Sequence, residues 1–320
     1  MFHVEQSEKL KVFLSYLQLF ETQTIEETMA RTICVANQKG GVGKTTSSVN
    51  IGAALAAIGR KVLILDMDPQ GNASSGLGVK RYENQGNNIY HVIIGEKTLS
   101  EVIQTTENPN LCIAPTNPDL VGAEIELVDM THREFRLKEA VATVANEYHY
   151  IIIDCPPSLG LLTVNSLTAA DTFLIPLQCE YYALEGLSQL LNTAGLIKQN
   201  LNSQLKIEGI LLTMFDTRNN LSHQVVSEIQ THFGDKVFQA VIPRNVRLSE
   251  APSHGKSILD YAPRSIGAKK YLELARELDA KVYEGQETQI QKEQVKISRE
   301  IAHNAEGSTA SKPVEGEAHV

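Results

Sequence analysis

Short apolar runs alternate with longer stretches of helical spacing along most of the chain. Residues 62–65 and 151–153 contain only Val, Leu and Ile, which is typical of strands that are covered on both faces. This pattern predicts seven strands, at Thr32–Ala36, Lys61–Leu65, Leu111–Ala114, Tyr150–Ile153, Thr172–Pro176, Gly209–Met214 and Val237–Ile242.

Helical spacing of apolar residues fills the gaps between these runs. The predicted helices are Ser47–Ile58, Thr131–Asn146, Tyr182–Gln199, Leu221–Phe233 and Gly267–Tyr283. Strands that alternate with helices indicate an α/β fold with a single doubly wound, mostly parallel sheet of about seven strands. The segment 71–110 is polar and rich in Gly and Asn, so we expect loops around short helices there.

We expect one domain over residues 29–283. Residues 1–28 surround a short apolar piece, Val12–Phe20, with Glu-rich sequence and lack the positive start of a signal peptide. They are interpreted as an optional extension, or as an upstream start before a working protein that begins at Met29. Residues 284–320 are dominated by Glu, Gln, Lys, Ser and Ala, so this tail is predicted to be disordered.

Composition narrows the class of protein. The 320 residues carry a net charge of −9, which argues against a general polyanion binder but leaves room for a local basic patch. No apolar run approaches the ~20 residues of a membrane span. Four scattered cysteines form no C-x-x-C motif, so we expect buried free thiols in a reducing cytoplasm.

The stretch Lys39–Thr46 has the context of a phosphate-binding loop. It reads K-G-G-V-G-K-T-T between a predicted strand and a predicted helix, and its glycines allow backbone N–H groups to close around phosphate. Lys44 is placed to reach phosphates and Thr45 to ligate Mg²⁺. The standard pattern needs a glycine where this chain has Gln38, and a second lysine, Lys39, stands at the entrance.

Acidic residues follow two of the predicted strands. Asp66 and Asp68 come after the second strand, and Asp154 ends the run Ile151–Ile153 in the form of a Walker B element. Ligands of doubly wound folds bind at the carboxyl ends of the strands. One of the two aspartates after the second strand could therefore orient an attacking water and the other hold the water shell of a metal, with Asp154 on the Mg²⁺ side.

Five motifs together carry a resemblance to a known family. They are K-G-G-V-G-K-T-T, D-M-D-P-Q-G-N, I-I-I-D-C-P-P-S-L-G, L-L-T-M-F-D-T-R and I-P-R-N-V-R-L-S-E-A-P-S-H-G-K. Over residues 30–280 the chain resembles ParA-type partitioning ATPases of the Soj kind. They belong to a wider family of P-loop proteins with MinD and the nitrogenase iron protein, and the last motif favours Soj over MinD.

The resemblance implies roles for individual residues. Lys39 is similar to a signature lysine that reaches the partner's phosphates in a nucleotide-sandwich dimer, and Gly40 to a glycine that must stay small. Asp68 is implied in hydrolysis together with Lys39 and Lys44, and Asp66 and Asp154 in metal binding with Thr45. The implied nucleotide contacts are Lys39, Gly40, Gly41, Val42, Gly43, Lys44, Thr45, Thr46, Pro243 and Asn245. The implied DNA contacts are Arg218 and Arg247; from the residues alone, solvent-exposed arginines are the simpler interpretation.

The function implied by the resemblance is a switch driven by ATP and Mg²⁺. A homodimer would form with ATP, bind double-stranded DNA non-specifically, and reset by slow hydrolysis that a ParB-type partner stimulates, in chromosome or plasmid partitioning at the nucleoid. One alternative is a MinD-like membrane switch, but residues 284–303 contain no Leu, Phe or Trp for an amphipathic anchor, so no stable membrane association is expected. The other is an iron–sulfur reductase, which needs paired cysteines such as Cys112 and Cys155.

Overall fold

A computed structural model describes residues 30–80, 86–180 and 183–282 of the chain. The predicted extension 1–28, the tail 284–320 and the last residue of the final predicted helix, Tyr283, lie outside these ranges. The described residues divide into two units, with the boundary between Arg276 and Glu277. The sheet and the candidate site described below belong to the first unit.

The first unit is built on a seven-stranded sheet. Its strands are β1 (Arg31–Val35), β2 (Val62–Asp66), β3 (Gln104–Thr105), β4 (Leu111–Ala114), β5 (Tyr150–Asp154), β6 (Thr172–Gln178) and β7 (Lys206–Thr213). Their order is β3-β4-β2-β5-β1-β6-β7. All neighbouring pairs are parallel except β3 with β4. The predicted α/β fold with one mostly parallel sheet is confirmed.

Helices flank this sheet. Eleven are α1 (Lys44–Ala57), α2 (Asn72–Gly76), α3 (Ile89–Ile94), α4 (Leu99–Val102), α5 (Leu120–Glu126), α6 (Arg136–Ala142), α7 (Leu161–Ala169), α8 (Ala183–Asn200), α9 (Asn220–Phe233), α10 (Val246–Glu250) and α11 (Ile258–Tyr261). A further helix, α12, covers residues 266–282. The short helices α2, α3 and α4 confirm the prediction for the segment 71–110.

The predicted strand Val237–Ile242 is wrong. This segment runs beside β7 and makes only isolated bridges. Phe238 donates its N–H to the Ile210 carbonyl at 3.0 Å, and Ile242 donates to that of Leu212 at 2.9 Å. Between these two bonds β7 advances by two residues and the segment by four, so no regular ladder can form. The seventh strand is instead β3, a two-residue edge strand that apolar patterning does not indicate.

The helices α5, α10 and α11 were not predicted, and two further differences have a clear physical reason. The helix predicted from Thr131 begins only at Arg136, because a turn comes first in which Phe135 donates its N–H to the His132 carbonyl at 2.9 Å. Helix α7 was not predicted, because its buried face carries polar residues. They bond to nearby backbone: Ser166 Oγ donates to the Leu162 carbonyl at 2.8 Å and Asn165 Nδ2 to that of Leu161 at 3.0 Å.

The sheet core determines where the acidic residues lie. Every residue of β2 and β5 is buried, as the continuous apolar runs predicted. In the register of these two strands Asp66 stands opposite Asp154 at their carboxyl ends, and Val35 of β1 lies opposite Asp154 on the other side. The loop after β1 therefore begins next to Asp154, with Asp66 one strand further along the sheet. Within the described residues, no helix combines the length and hydropathy that a membrane crossing requires.

Candidate nucleotide-binding site

The loop between β1 and α1 is shaped to receive an anion. Gly41 and Gly43 have φ angles of 74° and 91°, a left-handed conformation that residues with a side chain rarely adopt. Gly43 is the N-cap of the 14-residue helix α1 and has no side chain to cap it. The N–H groups of the first turn thus face the loop, where the positive end of the helix dipole favours phosphate.

The loop is hydrogen-bonded to two other strands, β6 and β7. Asn37 Nδ2 donates to the Pro176 carbonyl of β6 at 2.7 Å, while its Oδ1 accepts the Lys39 N–H at 3.0 Å. From β7, Thr213 Oγ1 donates to the Val42 carbonyl at 2.9 Å. Sequence reasoning missed Asn37 and Thr213, and their only signal was a polar residue at the end of an apolar strand.

The two lysines of the loop lie in different environments. Lys44 is buried, and its Nζ donates to the Lys39 carbonyl at 3.1 Å. Burial lowers the pKa of Lys44, and the nearby charges of Asp154 and Asp68 act against that shift. The Lys39 side chain is 37% exposed and its Nζ lies 3.2 Å from Glu180 Oε2, at the end of β6. Only Lys44 is built into the interior of the loop.

Asp154 is the least satisfied acid of the site. Its Oδ1 accepts from Ser48 Oγ at 2.8 Å, but its Oδ2 is buried and has no hydrogen-bond partner. Burial and the charge of Asp66 raise the pKa of Asp154 to about 8, although Ser48 and Thr45 hydroxyls lower it in part. A carboxylate oxygen without a partner in the interior fits a position beside a cation.

Asp66 and Asp68 hold the loop that follows β2. Asp66 Oδ2 accepts from the Ser74 N–H at 2.7 Å and the Ser74 Oγ at 2.6 Å. Burial raises the pKa of Asp66 to about 6, against the lowering effect of Ser74. Asp68 is also buried, and its Oδ1 accepts the N–H of Gln70 at 3.0 Å.

These residues fit a magnesium–nucleotide complex better than a free metal ion. In the described part of the chain, no group of three His, Cys, Asp or Glu side chains is placed to hold a metal. Protein sites for Mg²⁺ commonly supply only one or two oxygens and leave the rest to water and phosphate. The unpartnered Asp154 Oδ2 and the Thr45 hydroxyl beside it are suitable for that arrangement.

The predicted nucleotide contacts Pro243 and Asn245 lie beside the end of β7. Pro243 is bridged to Phe215, and Arg244 donates its N–H to the Phe215 carbonyl at 2.9 Å. Asn245 caps α10 through Oδ1, which accepts the Arg247 N–H at 2.8 Å. Because Thr213 of the same strand holds the phosphate loop, this segment lies at the same edge of the sheet.

The predicted DNA contacts are exposed and pair with neighbours in sequence: Arg218 lies in the turn before α9 and Arg247 lies in helix α10. Arg218 Nε and Nη2 each lie 3.0 Å from an oxygen of Asp216. These bonds lower the pKa of Asp216 to about 2. Arg247 Nη1 bonds to Glu250 Oε2 at 2.8 Å, an oxygen that also accepts from the Tyr261 hydroxyl. Both guanidinium groups are therefore accessible, but each already has a carboxylate partner.

Helix α1 is further anchored by the C-terminal part of the unit. Asn50 Oδ1 accepts the Ile258 N–H at 2.7 Å, and its Nδ2 donates to the Thr46 carbonyl at 2.7 Å. The hydroxyl of the fully buried Tyr271 lies 3.2 Å from Ser47 Oγ. These polar contacts fix the first turns of α1, and no sequence motif pointed to them.

The cysteines do not favour a metal cluster. All four are free thiols, as predicted, and three are buried, whereas Cys112 is only half-buried. Cys155 is fully buried with its Sγ 3.1 Å from that of Cys34, so it faces the interior and not a partner. Cys112 lies within β4, which β2 separates from β5, the strand that leads to Cys155. The iron–sulfur alternative therefore loses the cysteine pair on which it depended.

A parallel sheet whose first strand leads through a glycine loop into a helix, with an acid on the adjacent strand, defines a P-loop nucleotide-binding protein. A family described as an AAA domain matches residues 30–207. The chromosome partitioning protein ParA of Myxococcus xanthus is 57% identical over 251 residues, which cover 78% of this chain and 88% of that protein. The chain belongs to the ParA/Soj family of partitioning proteins, and it is a P-loop ATPase.

Two further comparisons agree with this assignment. The sporulation initiation inhibitor protein Soj of Bacillus subtilis is 57% identical over 252 residues, which cover 79% of this chain and 99% of that protein. A crystal structure described as cobyrinic acid a,c-diamide synthase of Mycobacterium smegmatis, with bound ADP and magnesium, is 37% identical with a TM-score of 0.71. It covers 80% of this chain and 97% of that one.

Proposed function

We propose that this protein is an ATP-switched, DNA-binding ATPase that acts in chromosome or plasmid partitioning. ATP and Mg²⁺ bind at the loop 39–46 and a homodimer forms that binds double-stranded DNA without sequence preference. A ParB-type partner stimulates slow hydrolysis to ADP and phosphate, which returns the protein to a monomer. It works in the cytoplasm at the nucleoid. The names of the relatives support the partitioning role, and the residues of the nucleotide-binding site support the ATP-dependent switch.

Lys39 is the observation that carries the proposal. The loop already contains a buried lysine, Lys44, whose Nζ donates to the Lys39 carbonyl. Lys39 is a second lysine at the mouth of the loop; it is partly exposed, and among the described residues its Nζ pairs with the exposed Glu180. Such pairs are worth about 0–1 kcal/mol, so Lys39 can readily turn to a phosphate of a facing subunit, as an arginine finger acts in trans.

The other residues take roles that follow from their positions. Lys44 and the N–H groups of α1 neutralise phosphate oxygens, and Thr45 and Asp154 hold Mg²⁺. When bound, Mg²⁺ supplies positive charge that stabilises the phosphoryl group in transfer. Asp68 accepts a hydrogen bond from the attacking water and orients it. Asp66 keeps the loop after β2 in place through Ser74 and supports the metal's water shell.

Two-fold symmetry makes a few arginines sufficient for DNA binding. Arg218 and Arg247 each occur twice in a dimer, so four guanidinium groups form one surface. Arginines that contact phosphates hold DNA without reading its bases. Because the whole chain carries a net charge of −9, it can bind DNA only through such a concentrated basic patch. Binding through contacts with phosphates weakens steeply as the salt concentration rises.

A DNA-binding titration with ATP, with ADP and without nucleotide tests the proposal. Wild type should bind DNA only with ATP. Asp68→Ala should bind DNA with ATP at least as tightly while its hydrolysis stops, because the water is no longer oriented. DNA binding that ignores the nucleotide would overturn the switch. Strong ATP-dependent pelleting with anionic liposomes would instead favour the membrane alternative, whose expected anchor at 284–303 lies outside the described residues.

A further inference from the structure

Helix α5 and the turn after it are apolar on two opposite faces. Leu120, Ala123 and Leu127 are buried in the core. Three other apolar side chains point to solvent: Val121, Ile125 and Val128 are 55%, 74% and 54% exposed. A surface helix normally carries polar residues on its outer face, so core packing does not explain this second face. We call Val121, Ile125 and Val128 the α5 stripe.

The α5 stripe stands out among exposed apolar residues. In the described part of the chain the other large apolar side chains that are exposed are Leu196, Leu221, Val246 and Ile266, each on a different element. Single exposed apolar residues are normal and need no explanation. The stripe instead has three at positions i, i+4 and i+7, a spacing that spans about 10 Å along a helix. A second helix laid against it could bury all three.

Charges around the α5 stripe indicate which kind of partner fits. Asp119, Glu126 and Asp129 flank it and are exposed. The nearby Arg133 is engaged, because its Nη1 donates to the Val128 carbonyl at 2.7 Å and its Nε bonds to Glu134. An acidic rim around an apolar ridge favours a basic partner by charge complementarity. It disfavours a second copy of the same stripe, since two acidic rims would repel.

The α5 stripe is placed to act on the nucleotide-binding site. Helix α5 follows β4, so it begins at the carboxyl edge of the sheet where the site lies. On the same helix, the Glu124 carboxylate lies directly against Gly160, in the space that a side chain at that position would occupy. Gly160 belongs to the loop that follows Asp154 on β5. A partner that shifts α5 would therefore press on the loop next to the metal-binding acid.

We propose that the α5 stripe is the docking surface for a basic amphipathic helix of a partner protein. The partner helix places apolar side chains at i, i+3 or i+4 and i+7 against Val121, Ile125 and Val128, and its Lys or Arg residues meet Asp119, Glu126 and Asp129. Docking of this helix should change the rate of ATP hydrolysis, and that expectation rests on the proposed function, in which a partner stimulates the ATPase. The docking itself does not depend on that function.

The test uses the full chain and three labelled peptides of 18 residues. The first is a Leu/Lys amphipathic helix, the second has the same composition in shuffled order, and the third has Glu in place of Lys. Fluorescence anisotropy should show binding of the first peptide and at least tenfold weaker binding of the other two. Amide hydrogen exchange should show protection of residues 120–130 by the first peptide. Equal binding of the Glu peptide, or protection elsewhere, would overturn the proposal.

Matched variants separate the stripe from general surface attraction. The triple variant Val121→Ser, Ile125→Ser, Val128→Ser should bind the Leu/Lys peptide at least tenfold more weakly, because it removes the apolar ridge and keeps the acids. Leu196→Ser, which removes an exposed leucine of α8, should bind it as wild type does. Unchanged binding by the triple variant would refute the docking surface.

Two further measurements distinguish this proposal from the proposed function. ATP-dependent DNA binding of the wild type without peptide tests the switch, and its failure would leave peptide docking intact. Self-association with ATP tests whether a second copy covers the stripe. If the triple variant lost self-association while its peptide binding stayed unchanged, the stripe would be a contact between copies and the proposal would be wrong.

Discussion

The phosphate loop and the proposed DNA-binding surface, which consists of Arg218 and Arg247 and is called the arginine surface below, are built in opposite ways. At the loop, groups far apart in sequence converge: Thr213 holds Val42, and Ser48 holds Asp154. At the arginine surface, each guanidinium pairs with a carboxylate two or three residues away, as Arg218 does with Asp216. The first site is buried and fixed by tertiary contacts, whereas the second is exposed and organised locally.

This difference matters for how each site can work. Buried polar groups keep a fixed geometry because leaving them unpaired costs about 1–3 kcal/mol each. Exposed ion pairs are worth about 0–1 kcal/mol and exchange partners easily. A buried cradle suits a nucleotide that must be held in one geometry, and an exposed surface suits a DNA backbone that is bound without sequence preference and released.

Lys39→Ala tests whether Lys39, at the mouth of the loop, functions with the nucleotide site or is an ordinary exposed lysine. We expect ADP binding within about twofold of wild type, since Lys44 and the N–H groups of α1 remain. The ATP-dependent dimer and its DNA binding should be lost, because Lys39 is needed by the facing subunit. Isothermal titration calorimetry and light scattering after size exclusion measure the two effects.

Two control variants frame that result. Lys44→Ala removes the buried lysine and should lose nucleotide binding altogether. The difference between the two variants would show that the two lysines have different roles. Lys61→Ala removes another exposed lysine and should change neither property. If Lys39→Ala formed an ATP dimer of normal affinity, Lys39 would be an ordinary exposed lysine. The main support for the switch would then be lost.

Removing Arg218 and Arg247 together tests whether the arginine surface, whose ion pairs are local, provides the contacts with DNA. The double alanine variant should dimerise with ATP as wild type does but bind DNA at least 100-fold more weakly at moderate salt. Four guanidinium groups are lost per dimer, so the slope of log affinity against log salt should fall by about 3 to 4. DNA affinity measured by anisotropy at several salt concentrations gives both numbers. An unchanged slope would place the DNA contacts elsewhere.

Asp154→Asn tests the cost of burying the acids. The folded-state pKa of Asp154, about 8, lies above the ordinary 3.8, so this group's stabilising contribution is full below pH 3.8 and is lost as pH rises through 8. Asparagine stays neutral and still accepts from Ser48. At pH 8.5 and without nucleotide, the free energy of unfolding of the variant should therefore exceed that of wild type and its Tm should be at least ~2 °C higher, with a smaller difference at pH 5.

Magnesium should act on that variant differently. Thermal unfolding with ADP should show a further gain from Mg²⁺ in wild type and almost none in Asp154→Asn, because a ligand of the ion is gone. A variant that was less stable than wild type at pH 8.5 without nucleotide would show that the buried carboxylate is satisfied, against the unpartnered Asp154 Oδ2.

The same contrast explains how much the sequence could predict. The phosphate loop, Asp154 and the sheet were recognisable because buried strands need continuous apolar runs and phosphate cradles need glycines at set positions. Asn37, Thr213 and the polar helix α7 were missed because their burial depends on hydrogen bonds to distant or local backbone, which apolar patterning does not record. Val237–Ile242 has the composition of a strand, but its register beside β7 prevents a ladder.

Asp216→Asn gives the smallest expected effect and sharpens the comparison most directly. Asparagine keeps the Oδ1 that accepts the Arg218 N–H at 3.0 Å, so the turn should persist, but it frees the guanidinium from a carboxylate. If the arginine surface is only locally paired, DNA affinity with ATP should rise by about two- to fivefold at low salt. Asp235→Asn, which removes the same charge from another exposed position, should raise it less. Equal gains in both variants would mean that net charge, and not release of Arg218, limits DNA binding.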